Sequence, residues 1–335
     1  MKSVKRLLKT VAEGVVATIA PIAWRMRSSP RLLVMMYHRV LPAEHPDALV
    51  EQPGMYVSPA TLDMHLAYLK KEFELVHLDD WVRRAARGEA LPRRACAITF
   101  DDGWRDNFDH ALPVLRRHAA PATIFLVSTF IGTGKEFWPN RLTRILASSS
   151  LDLVLPAALA AAIAPAVASA RANGRWSREN IDQAIGLAKH LGEEEIVAQL
   201  DAIPGAGAEP RRDVLNREEI REMTSDDLVR FGSHTRTHFR LRGEVAPEVL
   251  RDEVVLSAAE IADTTGRAAD LFCYPNGDFT TAAVDAVRGR YIAAVTTRRG
   301  WHSPSADPFL IRRIGVHEDL ARHRRGFIAR VSGWL

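Results

Sequence analysis

The stretch Ala97-Ile98-Thr99-Phe100-Asp101-Asp102-Gly103-Trp104 is an apolar run that stops on two adjacent carboxylates and a glycine. The apolar part is typical of a buried strand, and the end of such a strand combines a rigid backbone with access to solvent and substrate. An Asp-Asp pair before glycine is more often a turn or a helix cap. Whether this strand end is a site therefore depends on the rest of the chain.

Strand-like and helix-like segments alternate on both sides of this stretch. Helical patterns lie at 59–87, 111–118, 247–264 and 281–288, and strand patterns include 32–40, 75–78, 122–127 and 292–296. Near-continuous apolar strands separated by helices predict a parallel sheet, either open or closed into a barrel.

The pattern divides the chain into three parts. Residues 1–30 form a basic and then apolar N-terminal segment, residues 31–320 the main domain, and residues 321–335 a basic amphipathic tail. Within the main domain, about 133–215 read as a helical insertion with an acidic helix at 192–200 and a turn at 204–207. We expect this insertion to lie over one end of the sheet, because loops accept extra chain at modest entropic cost.

The composition is that of an ordinary globular protein. The 335 residues are 47% hydrophobic and 26% charged, with a formal net charge of +4. Part of the basic surplus lies at the two ends, no nucleic-acid motif lies between them, and we expect no nucleic-acid partner. Cys96 and Cys273 are too few for a disulfide framework and lack thiolate-zinc spacing, so we expect both in the core.

The apolar part of the N-terminal segment contains Glu13 and Pro21 and falls short of the roughly 20 residues that span a bilayer. It also lacks a clear signal-peptide cleavage site, so we expect a location in the cytoplasm or on the cytoplasmic membrane face. Two alternatives stay open for the segment: a terminal helix that packs on the body or moves freely, and an interfacial helix that makes peripheral membrane contact. The C-terminal tail could accompany it.

His234 and His238 are four residues apart. In an extended strand they would be about 13 Å apart, too far to share an ion at about 2.0–2.1 Å, whereas a helical turn or tight loop would bring them together. With Asp102 they make a two-nitrogen, one-oxygen ligand set that suits Zn²⁺ and tolerates other divalent ions. Asp101 would then accept a proton from the water that the ion activates.

An isolated H-x-x-x-H is often only a surface pair. A site is favoured here because the strand-end acids and the spaced histidines occur in one β/α chain with another strand-end histidine, His38, and a Tyr-Pro-x-Gly turn.

Together these residues resemble the polysaccharide deacetylases with a NodB-homology domain, carbohydrate esterase family 4. Four segments carry the resemblance: Thr99-Phe100-Asp101-Asp102-Gly103 (T-F-D-D-G), His234-Thr235-Arg236-Thr237-His238 (H-[ST]-x-x-H), Phe272-Cys273-Tyr274-Pro275-Asn276-Gly277 (the Tyr-Pro-x-Gly form of the third motif) and Met36-Tyr37-His38 (the M-Y-H motif of a subgroup acting on acetylated glucosamine polymers).

The resemblance implies a distorted (β/α) barrel, TIM-barrel-like but with fewer than eight complete units, and metal-dependent removal of N-acetyl groups from a sugar. The metal is expected to be Zn²⁺, with Co²⁺ or Mn²⁺ as alternatives. The resemblance also implies these roles: Asp101 as general base, Asp102, His234 and His238 as metal ligands, the Tyr274 backbone N–H as an oxyanion donor, and His38 as general acid.

The chain departs from the family pattern in two places. The arginine that many members place shortly before the Tyr-Pro turn is missing, and Arg312 or Arg313 could replace it or could simply form surface ion pairs. The D-x-x-D-W segment is also missing, and His317 is a weaker alternative to His38 as the acid. Expected substrates are N-acetylated polysaccharides, chitooligosaccharide-like glycans or lipid-linked sugars. The alternatives are a glycan-binding scaffold without turnover and a deformylase of a lipid-linked aminosugar.

Overall fold

The computed structural model describes residues 2–203 and 211–334. Its strands are β1 (Arg31–Tyr37), β2 (Arg39–Val40), β3 (Tyr56–Val57), β4 (Glu74–Leu75), β5 (Arg94–Phe100), β6 (Ala122–Leu126), β7 (Val229–Ser233), β8 (Leu271–Cys273), β9 (Ala293–Arg299) and β10 (Ile311–Gly315).

Seven of these strands close into a ring in the order β1, β5, β6, β7, β8, β9, β10 and back to β1, with every pairing parallel. Strand β4 pairs with the first half of β5, and β2 and β3 form a separate parallel pair. The predicted distorted barrel with fewer than eight complete units is therefore confirmed.

The two faces of the ring follow the alternation of side chains along each strand. Leu33 and Met35 belong to a buried cluster that also contains helix residues such as Leu62, so they face outward. Leu32 and Val34 belong to a second cluster that is formed mainly by the alternate strand positions and fills the ring interior. The strand members of this inner cluster are Leu32, Val34, Ala95, Ala97, Phe125, Leu271, Cys273, Ala293, Val295 and Ile311.

Helices surround the ring and largely follow the predicted pattern, including the interruption of 59–87 by β4. They are α1 (Lys2–Arg25), α2 (Pro46–Val50), α3 (Pro59–Glu72), α4 (Leu78–Ala86), α5 (Leu112–His118), α6 (Trp138–Ser148), α7 (Ala157–Ala162), α8 (Ala164–Ala172), α9 (Arg178–Ala188), α10 (Glu193–Asp201), α11 (Arg217–Thr224), α12 (Pro247–Leu250), α13 (Ser257–Thr265), α14 (Thr281–Arg288), α15 (Glu318–Ala321) and α16 (Arg324–Val331). A π-helical turn (Arg251–Leu256) joins α12 to α13, and another (Asn107–Ala111) precedes α5.

The segment between β6 and β7 contributes helices α6 to α10, and residues 133–203 contain no strand, as predicted. These helices enclose a hydrophobic cluster of their own, which includes Leu142, Ile185 and Leu200. Arg178 ties the segment to the barrel through the Asp319 carboxylate and the Glu51 carbonyl. The predicted turn at 204–207 lies outside the described residues, and the exact limits of the insertion stay a prediction.

The N-terminal helix α1 packs against the C-terminal helix α16. Within the described ranges, no helix combines the length and apolarity needed to cross a bilayer.

Candidate active site

The carboxyl ends of parallel strands meet at one rim of a barrel, and the predicted chemical groups collect there. Asp101 and Asp102 follow β5, His38 follows β1, and His234 follows β7. With His238 they line a single cleft of about 280 Å³. The chain therefore brings together five of the six residues predicted for the site.

A sharp turn presents Asp102 to this cleft. Asp102 and Gly103 have φ angles of +74° and +70°, and consecutive left-handed residues are costly for any side chain other than glycine. A Cβ atom at Gly103 would lie 2.7 Å from Cδ2 of Leu126, so the turn also requires glycine for steric reasons. The indole Nε1 of Trp104 donates to Asp102 Oδ2 at 3.0 Å and fixes the carboxylate.

His234 and His238 lie on a tight loop, one of the two conformations that their spacing allows. The buried Glu253 carboxylate holds this loop by accepting the backbone N–H groups of Arg236 and Thr237, both at 2.9 Å, and the Thr237 hydroxyl at 2.7 Å. The two imidazole centroids are consequently 5.0 Å apart.

Asp102, His234 and His238 fit a divalent metal ion. Asp102 Oδ1 lies 3.4 Å from His234 Nε2 and 3.6 Å from His238 Nε2. A tetrahedral ion with bonds of about 2.0–2.2 Å separates its ligand atoms by about 3.3–3.6 Å. His234 Nδ1 donates to the Cys273 carbonyl at 2.8 Å, which leaves Nε2 directed at the cluster, as in metal-binding histidines.

The ionisation of these three groups is strongly shifted. Burial raises the pKa of Asp102, but His234, His38 and His238 outweigh it and hold that pKa well below its usual value. Burial lowers the pKa of His238 to about 4, so its imidazole is neutral. Burial also opposes charge on His234, but Cys273 and Asp102 raise its pKa well above the usual value. A bound cation would displace the proton that His234 holds.

Asp101 faces the ring interior and is clamped by Arg313. The guanidinium binds both carboxylate oxygens at 2.7 Å, and its remaining N–H groups donate to Thr99 Oγ1, Cys273 Sγ and the Thr296 carbonyl. Burial raises the pKa of Asp101, but Arg313 outweighs it and keeps the carboxylate ionised.

Arg313 therefore takes the place of the missing arginine, and a surface ion pair is the wrong description for it, because it is buried. Arg312 is exposed and donates to the Arg299 carbonyl at 3.2 Å. Asp101, His234 and Cys273 could geometrically hold a second ion, but the guanidinium already supplies the positive charge there.

His38 and not His317 lies in the cleft. His38 Nε2 is 3.9 Å from Asp101 Oδ2, and Asn107 Nδ2 donates to the His38 carbonyl at 2.8 Å. His317 precedes α15, where its Nδ1 is 3.5 Å from Asp319 Oδ2, and it is absent from the residues that line the cleft. This placement favours His38 over His317 as the acid.

Tyr274 lies outside the cleft, and its backbone N–H already has a partner. Its backbone N–H donates to the Val295 carbonyl at 3.2 Å and thereby extends the pairing of β8 with β9 beyond Cys273. Its ring is fully buried, and the residue does not line the cleft. The oxyanion role expected for this N–H therefore stays a prediction, and in this structure the donor is engaged in the sheet.

The insertion supplies one wall of the cleft, which sequence patterns did not reveal. Phe137, Trp138 and Asn140 approach from the start of α6, and Glu193 and Ile196 from α10. The Phe137 ring meets the His238 ring edge to face, with centroids 5.2 Å apart. The insertion therefore borders the candidate metal site directly.

Comparison with known proteins gives one family. The family model described as "Polysaccharide deacetylase" matches residues 88–152 and 173–291, which is more than half of the chain. YxkH of Bacillus subtilis (strain 168), whose name places it among the polysaccharide deacetylases, is 27% identical over 112 residues. That alignment spans only 33% of this chain and 37% of YxkH.

Solved structures share the fold at low sequence identity. The Streptococcus pyogenes deacetylase PplD, solved in complex with acetate, superposes with a TM-score of 0.58 at 17% identity, over 88% of this chain and 96% of PplD. IcaB from Ammonifex degensii gives 0.57 at 18% identity, over 90% of this chain and 98% of IcaB. The family match confirms the resemblance to the polysaccharide deacetylases, and the assignment to the M-Y-H subgroup stays a prediction.

Proposed function

The chain belongs to the polysaccharide deacetylase family, and on this premise we propose that it is a metal-dependent hydrolase that removes N-acetyl groups from an aminosugar in a glycan. The observation that carries the proposal is the arrangement at one rim of the barrel: a carboxylate and two imidazoles that fit a divalent ion lie beside a second carboxylate clamped by arginine.

Asp102, His234 and His238 would hold the ion, with Zn²⁺ as the first choice and Co²⁺ or Mn²⁺ as alternatives. An ion bound there would polarise the amide carbonyl and lower the pKa of water. The protein's own part is to hold these ligands rigidly, through Trp104 on Asp102 and the Cys273 carbonyl on His234.

Asp101 is the proposed general base. It is ionised and cannot rotate away, because Arg313 binds both of its oxygens. His38, across the cleft from it, is the proposed general acid that protonates the leaving amine. The two groups therefore divide the proton transfers, with the base fixed by an ion pair and the acid partly open to solvent.

The test is acetate release from N-acetylglucosamine oligomers, with metal content measured on the same samples. We expect Asp102→Asn and His234→Ala to lose bound metal and acetate release together. His38→Ala should lose turnover by at least about a hundredfold while keeping its metal. Full activity in a metal-free preparation would contradict the proposal.

The same assay separates the alternatives. A glycan-binding scaffold would bind oligomers without releasing acetate after Zn²⁺, Co²⁺ or Mn²⁺ is added, and Arg313 argues against it by completing the base. A deformylase would release formate from a lipid-linked aminosugar. We further propose a location in the cytoplasm or on the cytoplasmic membrane face, which recovery of the protein in a periplasmic extract would contradict.

A further inference from the structure

Helix α1 exposes a continuous stripe of large apolar side chains. Val11, Val15, Ile19, Ile22 and Met26 recur every three or four residues along the helix and its last turn, and each is between 49% and 80% exposed. Side chains at this spacing share one face of a helix. Scattered exposed apolar residues need no explanation, but an aligned row indicates an interaction surface.

The opposite face of α1 packs against residues of the main domain, so the stripe points away from that domain. Trp24 is buried and its ring lies 5.7 Å from Phe73 and 5.6 Å from Trp301. Arg25 makes a bidentate ion pair with the buried Glu72. Helix α1 is thus packed on its inner face, and the described residues 2–203 and 211–334 leave the face that carries the stripe exposed.

The two terminal segments are rich in basic residues. Residues 2–27 contain Lys2, Lys5, Arg6, Lys9, Arg25 and Arg27 but only one acidic residue, Glu13. The last fourteen residues, whose helix α16 packs against α1, contain four arginines and no acid. Arg322, Arg324 and Arg325 are exposed there.

The segment that follows α16 carries an exposed tryptophan. Trp334 is half exposed, and the segment that carries it is held beside Trp24 because Trp301 Nε1 donates to the Val331 carbonyl at 2.8 Å. Tryptophan favours the boundary between hydrocarbon and water, since its ring is apolar and its N–H is polar.

From these observations we propose that the outer face of α1, with Met26 and Trp334, docks on the surface of an anionic lipid bilayer. The apolar stripe would enter the boundary between headgroups and acyl chains, and the exposed arginines of the two terminal segments would bind the anionic headgroups. A second copy of the chain is a poorer occupant, because stripe-to-stripe pairing would bring two basic surfaces together without acidic partners. Docking would hold the protein at the membrane surface.

Vesicle flotation tests this docking. The full chain is mixed with vesicles of phosphatidylcholine alone or of phosphatidylcholine with phosphatidylglycerol. We expect flotation with the anionic vesicles that weakens as salt is raised, because the charge attraction is screened. Val15→Glu/Ile22→Glu should reduce binding at least about tenfold, since two apolar side chains are replaced by charges that anionic lipid repels.

The control is Val154→Glu, which charges a valine in the insertion that is more exposed (81%) than Val15 (52%) or Ile22 (55%), and this variant should bind like the wild type. Thermal melting and acetate release from a soluble oligomer should be unchanged in all variants. If the glutamate pair does not fold, Val15→Ser/Ile22→Ser takes its place. The proposal is overturned if the wild type does not float, if the stripe variant floats equally well, or if the stripe variant instead dissociates a dimer.

Discussion

The ion pair between Arg313 and Asp101 leads to a specific prediction about the proposed base. Asp101 is buried inside the ring, where burial alone raises the pKa of a carboxyl group, and Arg313 is what reverses that effect. In Arg313→Met the carboxylate loses its partner while the surrounding apolar wall remains. We expect the pKa of Asp101 to rise by at least about one unit, since an adjacent opposite charge lowers a carboxyl pKa by about 1–3 units.

A general base works only when ionised, so activity falls as the pH drops through its pKa. The acidic limb of the pH profile of kcat/KM should therefore move to higher pH in Arg313→Met, while the alkaline limb stays in place. The variant should also lose about 3–5 kcal/mol of unfolding free energy at neutral pH, because a buried charge is left unpaired. Arg312→Met, on the exposed face of the same strand, is the matched control and should change neither quantity.

The double variant Asp101→Asn/Arg313→Met separates a true ion pair from two independent contributions. Removing both charges should cost less stability than the sum of the single variants, by at least about 1 kcal/mol, because the residues are in direct contact. An unmoved acidic limb together with additive stability losses would refute the reasoning, since it would mean that Arg313 does not set the ionisation of Asp101.

Three further predictions concern single contacts. Trp104→Phe removes the donor to Asp102 Oδ2, so Zn²⁺ affinity in a chelator competition should fall about 10–100-fold; unchanged affinity would contradict this. Gly103→Ala should destabilise the protein by about 1–3 kcal/mol in urea unfolding, because its Cβ would combine positive φ with the Leu126 contact; a smaller cost would contradict the turn's requirement. His65 is buried, and burial lowers its pKa to about 4, so the folded protein holds it neutral. Because the unfolded chain binds this proton more readily, the free energy of unfolding should be highest above about pH 6.5 and fall by about 3 kcal/mol as the pH drops to about 4. The pH dependence of unfolding should flatten in His65→Gln.

The sequence was sufficient for the fold because the strand patterns are near-continuous and apolar. The run around Ile98 and the run 122–127 both appear as neighbouring parallel strands, and the break at 133–203 appears as helices with a separate core. The strand patterns alone left closure open, since a parallel sheet with helices can be open or a barrel, and only the family resemblance implied a barrel. Pairing of β1 with both β5 and β10 decides it, and such a contact between distant segments has no local sequence signal.

The site also contains residues that the sequence could predict and residues that it could not. Asp102, His234 and His238 could be predicted because their spacing carries the chemistry, whereas the cleft wall from Phe137 and Glu193 could not, because it depends on how the insertion packs. Trp104 follows the acidic pair directly, but nothing in its position in the sequence indicates that its indole binds Asp102. The bond of the Tyr274 N–H to Val295 likewise depends on how far β8 and β9 stay paired.

Side-chain alternation explains the difference between Arg312 and Arg313 once the structure shows which residues face inward. Ile311 is an inner residue of the ring, so Arg313 points inward and Arg312 outward, just as Asp101 follows Ala97 and Thr99 inward on β5. On β8, Leu271 and Cys273 are inner residues, so Cys273 is the inward position directly before the Tyr-Pro turn.

A small side chain is needed at Cys273 for the same reason. Its sulfur lies 3.2 Å from the Arg313 guanidinium, and burial raises the pKa of the thiol, so it stays neutral and does not compete with Asp101 for the positive charge. A long side chain at this position would occupy the space that the guanidinium fills. The missing arginine before the Tyr-Pro turn and the buried arginine on β10 are therefore connected: in this chain β10 supplies the guanidinium that holds Asp101, and the short Cys273 side chain lies beside it.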